Sequence, residues 1–278
     1  MRLPFSTSPE FRKLLTREEP TDLMRIALEI AQDAYPHLDT EDYLGKVDAL
    51  TTRIRERCPA NSKPRGVLGQ INWVLFVEEG YRGNGEDYYD PRNSYLNEVL
   101  DRKLGIPISL SALYWTLAGR LGLAMSGVSL PAHFLLKVGE DDSTLFVDPY
   151  HGGAILDQRG CEMRVSEIVG EPVRLTEAQL ASCDHATVAA RMLRNLKAIY
   201  LRNQDFFLAL PVMRRLAALR VDDHEEQRDL GLLCLQLERP AEAIVPLQAY
   251  LDASPKAEDV DQVRTLLSVA RREVATWN

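Results

Sequence analysis

Apolar residues recur every three to four positions through most of this chain, the pattern of helices that bury one face. Leu23, Ile26, Ala27, Ile30 and Ala31 form the first such stripe, with Thr21 or Asp22 available to cap it. A second helix is predicted from Thr40 into the Arg53–Arg57 region, ending before Pro59. Val67 to Val77 keeps the helical period through Ile71, Val74, Leu75 and Glu78, then closes on the loop Glu79-Gly80-Tyr81-Arg82-Gly83-Asn84-Gly85. Asp90-Pro91-Arg92-Asn93-Ser94 is a turn signal, from which Asn93 or Ser94 can cap a helix through Leu96, Val99 and Leu100. After Gly105-Ile106-Pro107 a new helix is expected near Ser109. It carries Leu110, Leu113, Tyr114, Leu117 and Leu121 and stops at Gly122.

The period then changes from 3.6 to 2. Ala124–Leu130, Ala132–Val138 and Thr144–Asp148 read as strands, with Gly139-Glu140-Asp141-Asp142 turning between the last two. A helix-rich stretch followed by a small antiparallel sheet predicts an α+β domain over residues 1–183. Residues 184–278 read as an all-α region of helical repeats. Leu196, Tyr200 and Ala209 are matched by Leu230, Cys234 and Ala243, each displaced by 34 positions, the period of the tetratricopeptide repeat. Gly231 has no glycine counterpart at Lys197, and Pro211 and Pro246 fall inside expected helices. Val260, Val263, Leu267, Ala270 and Val274 mark a capping helix. Two repeats are fewer than a free-standing array needs, so they are expected to dock on the first domain.

Composition narrows the function. A net charge of −8 disfavours non-specific binding to nucleic acid or anionic membrane. Arg53, Arg55 and Arg57 alternate and so make no basic helix face, and no aromatic-basic interleaving points to nucleic acid. The N-terminus lacks the apolar core of a signal peptide, and no apolar run is long enough to span a bilayer. Cys58, Cys161, Cys183 and Cys234 are far apart, which suggests neither a zinc site nor a disulfide framework, and a cytoplasmic location is expected.

The candidate chemistry lies in the strands. A four-residue turn at 139–142 would set Val138 opposite Ser143 and His133 directly opposite Asp148, on one face of the sheet. A carboxylate beside an imidazole fixes its tautomer, as a general base requires. Equally, His133 is readable as a half-buried strand residue and Asp148 as a strand terminator before Pro149. Ser109, at a helix start, is either a nucleophile or the cap that a serine there usually is. His133, Asp148 and His151 are a possible metal set, but nothing in the sequence enforces their geometry, so no metal or cofactor is expected. Gly83-Asn84-Gly85 lacks the lysine and helix context of a phosphate loop.

Asp90-Pro91-Arg92-Asn93-Ser94-Tyr95-Leu96-Asn97, Gly105-Ile106-Pro107-Ile108-Ser109-Leu110, Leu130-Pro131-Ala132-His133-Phe134 and Val147-Asp148-Pro149 resemble, in this order, the SirB family. The resemblance covers nearly the whole chain and implies a papain-like, transglutaminase-like core joined to tetratricopeptide repeats. It implies a Cys–His–Asp arrangement in which His133 and Asp148 take the second and third places. The cysteine's place falls at Ser109, with Ser111 the other alignment, and no cysteine lies near that helix. The departure argues against transamidation and thiol proteolysis. The expected protein is therefore non-catalytic and binds a protein or peptide partner through its repeats. The alternative is an amide or ester hydrolase using Ser109, His133 and Asp148. Tyr81, Arg82, Asn93 and Asn97 either line the cleft or pin loops around it; pinning is favoured, because Asn and Gly usually serve turn geometry.

Overall fold

Helix caps and the alternation of strand residues settle where each element begins and which way it faces. A computed structural model describes residues 5–59, 61–139 and 144–276. The chain separates into two compact units, residues 1–192 and 193–278.

In the first unit, helices α1 (Pro9–Thr16), α2 (Leu23–Ala31), α3 (Thr40–Arg57) and α4 (Pro64–Asn72) come first. Asp22, rather than Thr21, caps α2: its carboxylate accepts the N–H groups of Met24 and Arg25 at 2.9 and 3.1 Å. Asp39 caps α3 in the same way. The apolar run after Asn72 stays helical but widens into a π-helical turn over Trp73–Glu78. A short parallel pair, β1 (Arg82–Gly83) and β2 (Leu104–Gly105), brackets α5 (Leu96–Arg102). The arginines of α3 make no basic patch: Arg53 and Arg57 pair with Glu78, and Arg55 donates to the Arg120 carbonyl.

Helix α6 (Pro107–Arg120) runs through the middle of this unit, followed by β3 (Ser126–Leu130), β4 (His133–Val138), β5 (Leu145–Asp148) and β6 (Ala154–Leu156). The four strands form one antiparallel sheet in chain order. Helix α7 (Gln158–Val169) follows. Alternation divides the strands cleanly. Phe134, Leu136, Val138 and Val147 join the core built on Leu113, Tyr114 and Leu117 of α6. Leu135 and Phe146, on the other face, pack with Cys161 and Val165 of α7.

The register corrects one expectation. Val138 pairs with Leu145 and Leu136 with Val147, so the β4–β5 connection holds six residues instead of four. The turn assigned to Glu140, Asp141 and Asp142, and the Val138–Ser143 pairing, fall on residues 140–143, outside the described residues. His133 and Asp148 are consequently offset along the strands and meet diagonally. The offset is two residues, so both still share the Leu135–Phe146 face. Strand β6 went unanticipated because three residues carry no readable alternation.

Helix α8 (His185–Asn203) begins where the repeat region was expected, but Val188 and Met192 on its first turns belong to the first unit's core. For that reason the compact units divide at 192/193, inside the helix. The second unit continues with α9 (Phe206–Leu219), α10 (His224–Gln236), α11 (Pro240–Ala253) and α12 (Val260–Thr276). Leu196, Tyr200, Ala209, Cys234 and Ala243 are all buried. A Cβ at Gly231 would lie 2.5 Å from the Leu247 side chain, so the glycine lets α10 and α11 approach closely. Lys197 joins α8 to α10 through Glu226 at 2.6 Å and Asp229 at 2.7 Å. Among the described residues no helix is long and apolar enough to cross a membrane.

Candidate functional site

Asp148 ends β5 on the α7 face and is 0% exposed. A bare carboxylate there would be costly, so the fold must supply partners. Three arrive from different elements. His151 Nδ1, from the 3-10 turn after β5, is 2.7 Å from Oδ2. Arg164 Nε, from α7, is 3.1 Å from the same oxygen. His133 Nε2, at the start of β4, is 3.0 Å from Oδ1. Burial alone would push the Asp148 pKa up, but the His151 hydrogen bond and the close approach of both imidazoles outweigh it and hold the carboxyl well below its ordinary range. The His133–Asp148 approach is close without being aligned, and both atoms lack a well-directed hydrogen bond.

His133 is aimed by the turn before it. Leu130 pairs with His133, leaving Pro131 and Ala132 as a two-residue turn in which Ala132 takes φ +56°. A side chain in the left-handed region costs about 1 kcal/mol or more, and glycine does not bear that cost. Ala132→Gly is therefore expected to stabilise the first unit by about 1 kcal/mol, read as a higher urea midpoint. An unchanged or lower midpoint would show that the turn is not strained.

The segment after Asp148 is fixed by a relay. Tyr114 Oη donates to Asn72 Oδ1 at 2.9 Å, Asn72 Nδ2 donates to the Gly153 carbonyl at 2.8 Å, and Gly153 N–H returns to the Asp148 carbonyl at 2.9 Å. The Tyr150 ring, 6.2 Å from the His133 ring, lies where a Cβ on Gly83 would be, 2.4 Å away. Loop and histidine are thus locked together by a missing side chain.

Ser109 is placed differently from the expectation. It stands at the third position of α6, not at its cap, and is 0% exposed. Its Oγ accepts the Ile106 N–H at 3.0 Å and donates to the Asn93 carbonyl at 2.6 Å. Among the described residues it makes no hydrogen bond to His133. Ser111, the other alignment, is also buried, with its Oγ unpartnered. His133 and Asp148 thus meet, while the Ser109 hydroxyl is bonded to Ile106 and Asn93. Ser109 thus satisfies the N-cap N–H of α6 from the third position, whereas the side chains of Asn93 and Ser94 cap no helix, since α5 starts after Tyr95 with no side-chain cap. Asn93 instead holds the preceding loop, donating to the Asp87 carbonyl at 2.7 Å and accepting from Asn84 Nδ2 at 3.0 Å. Tyr81 is buried with its hydroxyl 3.4 Å from the Leu100 carbonyl, and Arg82 N–H donates to Lys103. Asn97 is buried with Oδ1 unpartnered.

Comparison with known proteins gives this arrangement a lineage. The description "Transglutaminase-like superfamily" matches residues 41–194, more than half of the chain. This chain belongs to the transglutaminase-like superfamily. The tetratricopeptide repeat description matches residues 196–268. A UPF0162 protein of Xylella fastidiosa (strain 9a5c) is 38% identical over 260 residues, covering 92% of each chain. A UPF0162 protein of Vibrio cholerae is 31% identical over 69% of this chain and 71% of its own. F-box only protein 21 of Homo sapiens is 36% identical over 141 residues, 48% of this chain and 22% of that protein. Within this transglutaminase-like chain, Arg164 and the Tyr114–Asn72 relay were not visible from sequence. Each sits at an ordinary helical position and acquires its role only when α7 packs on β6 or α4 packs on α6.

Proposed function

We propose that this transglutaminase-like chain is a non-catalytic, SirB-type protein of the cytoplasm that binds a protein or peptide partner through its repeats. The observation that carries the reading is the state of Ser109, whose hydroxyl is spent on two backbone groups at the place where the superfamily's chemistry needs a nucleophile. The thiols offer no substitute: burial raises Cys161 to about 12 and Cys183 to about 11, which keeps them protonated and inert. Cysteines that stay unpaired suit a reducing compartment. Binding is supported by the second unit's surface, where Phe207, Val221 and Val245 are 77%, 62% and 75% exposed. Val221 and Val245 line a groove of about 280 Å³ with Leu230 and Pro246. Large apolar side chains so exposed ordinarily mark contact surfaces.

The hydrolase alternative draws on the His133–Asp148 pair but requires Ser109 to leave the Asn93 carbonyl. Two experiments separate the readings. A fluorophosphonate probe with peptide mapping is expected to leave Ser109 unlabelled, and labelling of that residue would overturn the non-catalytic reading. Proteins captured on the wild-type chain are expected to be lost from a Phe207→Asp/Val245→Asp variant that retains its helical content. Equal capture by both would remove the repeat surface from the proposal.

A further inference from the structure

We propose that His133, His151 and Asp148 form a binding site for a divalent transition-metal ion. Nε2 or Nδ1 of each imidazole and a carboxylate oxygen of Asp148 lie within 4.8 Å of one another. Tetrahedral bonds of about 2.0–2.2 Å set donors roughly 3.3–3.6 Å apart, so side-chain adjustments of about an ångström would seat an ion. The sequence offered the residues without the geometry. The β4–β5 register and the turn after β5 supply it.

The second observation is the state of the donors. His133 Nε2 and Asp148 Oδ1 belong to side chains 1% and 0% exposed, and neither has an aligned hydrogen-bond partner. Buried polar atoms left in that state cost about 1–3 kcal/mol each, and native proteins rarely keep them without a reason. An ion between them would satisfy both at once. His151, with 34% of its side chain exposed, provides the third donor and the route from solvent.

The donor chemistry selects the ion. Two imidazoles and one carboxylate suit zinc, iron, nickel or copper, whereas magnesium and calcium need oxygen-rich sets. Arg164, 3.1 Å from Oδ2, cancels part of the carboxylate's attraction for any cation and so further disfavours hard ions held by charge alone. The same contact orients the carboxylate so that Oδ1 faces His133, the function outer-shell partners serve at metal sites. Three protein donors leave at least one coordination position for water or a ligand atom. This site lies entirely within the first unit and is independent of the reading of the repeats.

The test uses the full chain after exhaustive dialysis against chelator, titrated calorimetrically with zinc alone and then with magnesium alone. Cobalt absorption in a parallel titration reports the ligand set. The expected result is one zinc per chain, no measurable magnesium binding, and a cobalt spectrum of imidazole and carboxylate ligation. His151→Ala, which removes one of the three partners of buried Asp148, is expected to melt below the metal-free wild type while keeping its helical content, and to weaken zinc at least about tenfold, since even outer-shell changes cost that much. Absence of saturable zinc binding would overturn the site. Undiminished zinc binding by a folded His151→Ala chain would do so too, because the ion would then sit on other groups. Equal affinity for magnesium would refute the donor assignment.

Discussion

Asp148→Ala is expected to cost the first unit about 3–5 kcal/mol, the largest loss of any single side chain at this site. The magnitude follows from what remains. With the carboxylate gone, Arg164 keeps, among the described residues, its 3.2 Å contact to Glu167, while His133 Nε2 stays buried and loses the carboxylate beside it. Breaking a buried pair from one side is far costlier than never having built it. Asp148→Asn, which preserves shape and one acceptor, is expected to lose clearly less, and the difference between the two variants isolates the charge. Urea unfolding followed by circular dichroism measures both, and a loss for Asp148→Ala under about 1 kcal/mol would show the cluster to be energetically idle. The pH dependence has a definite sign. Because the folded-state pKa is depressed, the wild-type contribution is present above the ordinary carboxylate range and is lost as pH falls below about 4. Asp148→Asn should flatten that part of the acid limb.

Ser109→Ala is expected to destabilise by about 2–4 kcal/mol, an effect unlike that of removing a solvent-facing nucleophile. It strands the Ile106 N–H, in a residue 1% exposed, and the carbonyl of Asn93, which is 0% exposed. Catalytic serines usually sit in strained, underused surroundings, so their removal tends to leave stability unchanged or improved. The sign of this one measurement therefore bears on function as well as on folding. A neutral or stabilising Ser109→Ala would mean that the hydroxyl is free to do something else.

The helices were legible because their apolar residues repeat over many turns, and α3 is found with the Thr40 start the pattern gives. The tetratricopeptide repeats were legible from the 34-residue displacement, whereas the transglutaminase-like core was implied by the resemblance of ordered motifs and not by periodicity. Register was harder. Only parity could be argued from the alternation in β4 and β5, and parity survived an error of two residues in the connecting loop. Ser109 illustrates a different gap. Sequence places a serine near a helix start, but whether it caps, attacks or supports a neighbouring loop depends on Asn93, which reaches it only through the path of residues 84–93. Arg164 was invisible because nothing local distinguishes an arginine that meets a buried carboxylate from one that meets water.

Two of the cysteines are fully enclosed, one in each unit. Cys161 is 0% exposed in the first unit and Cys234 is 1% exposed in the second. A thiol so enclosed reacts with an alkylating reagent only when its surroundings open, so its modification rate reports local unfolding. One chain thus contains two native reporters, one for each unit. Mass-resolved alkylation at these two positions would give separate opening free energies without introducing any label.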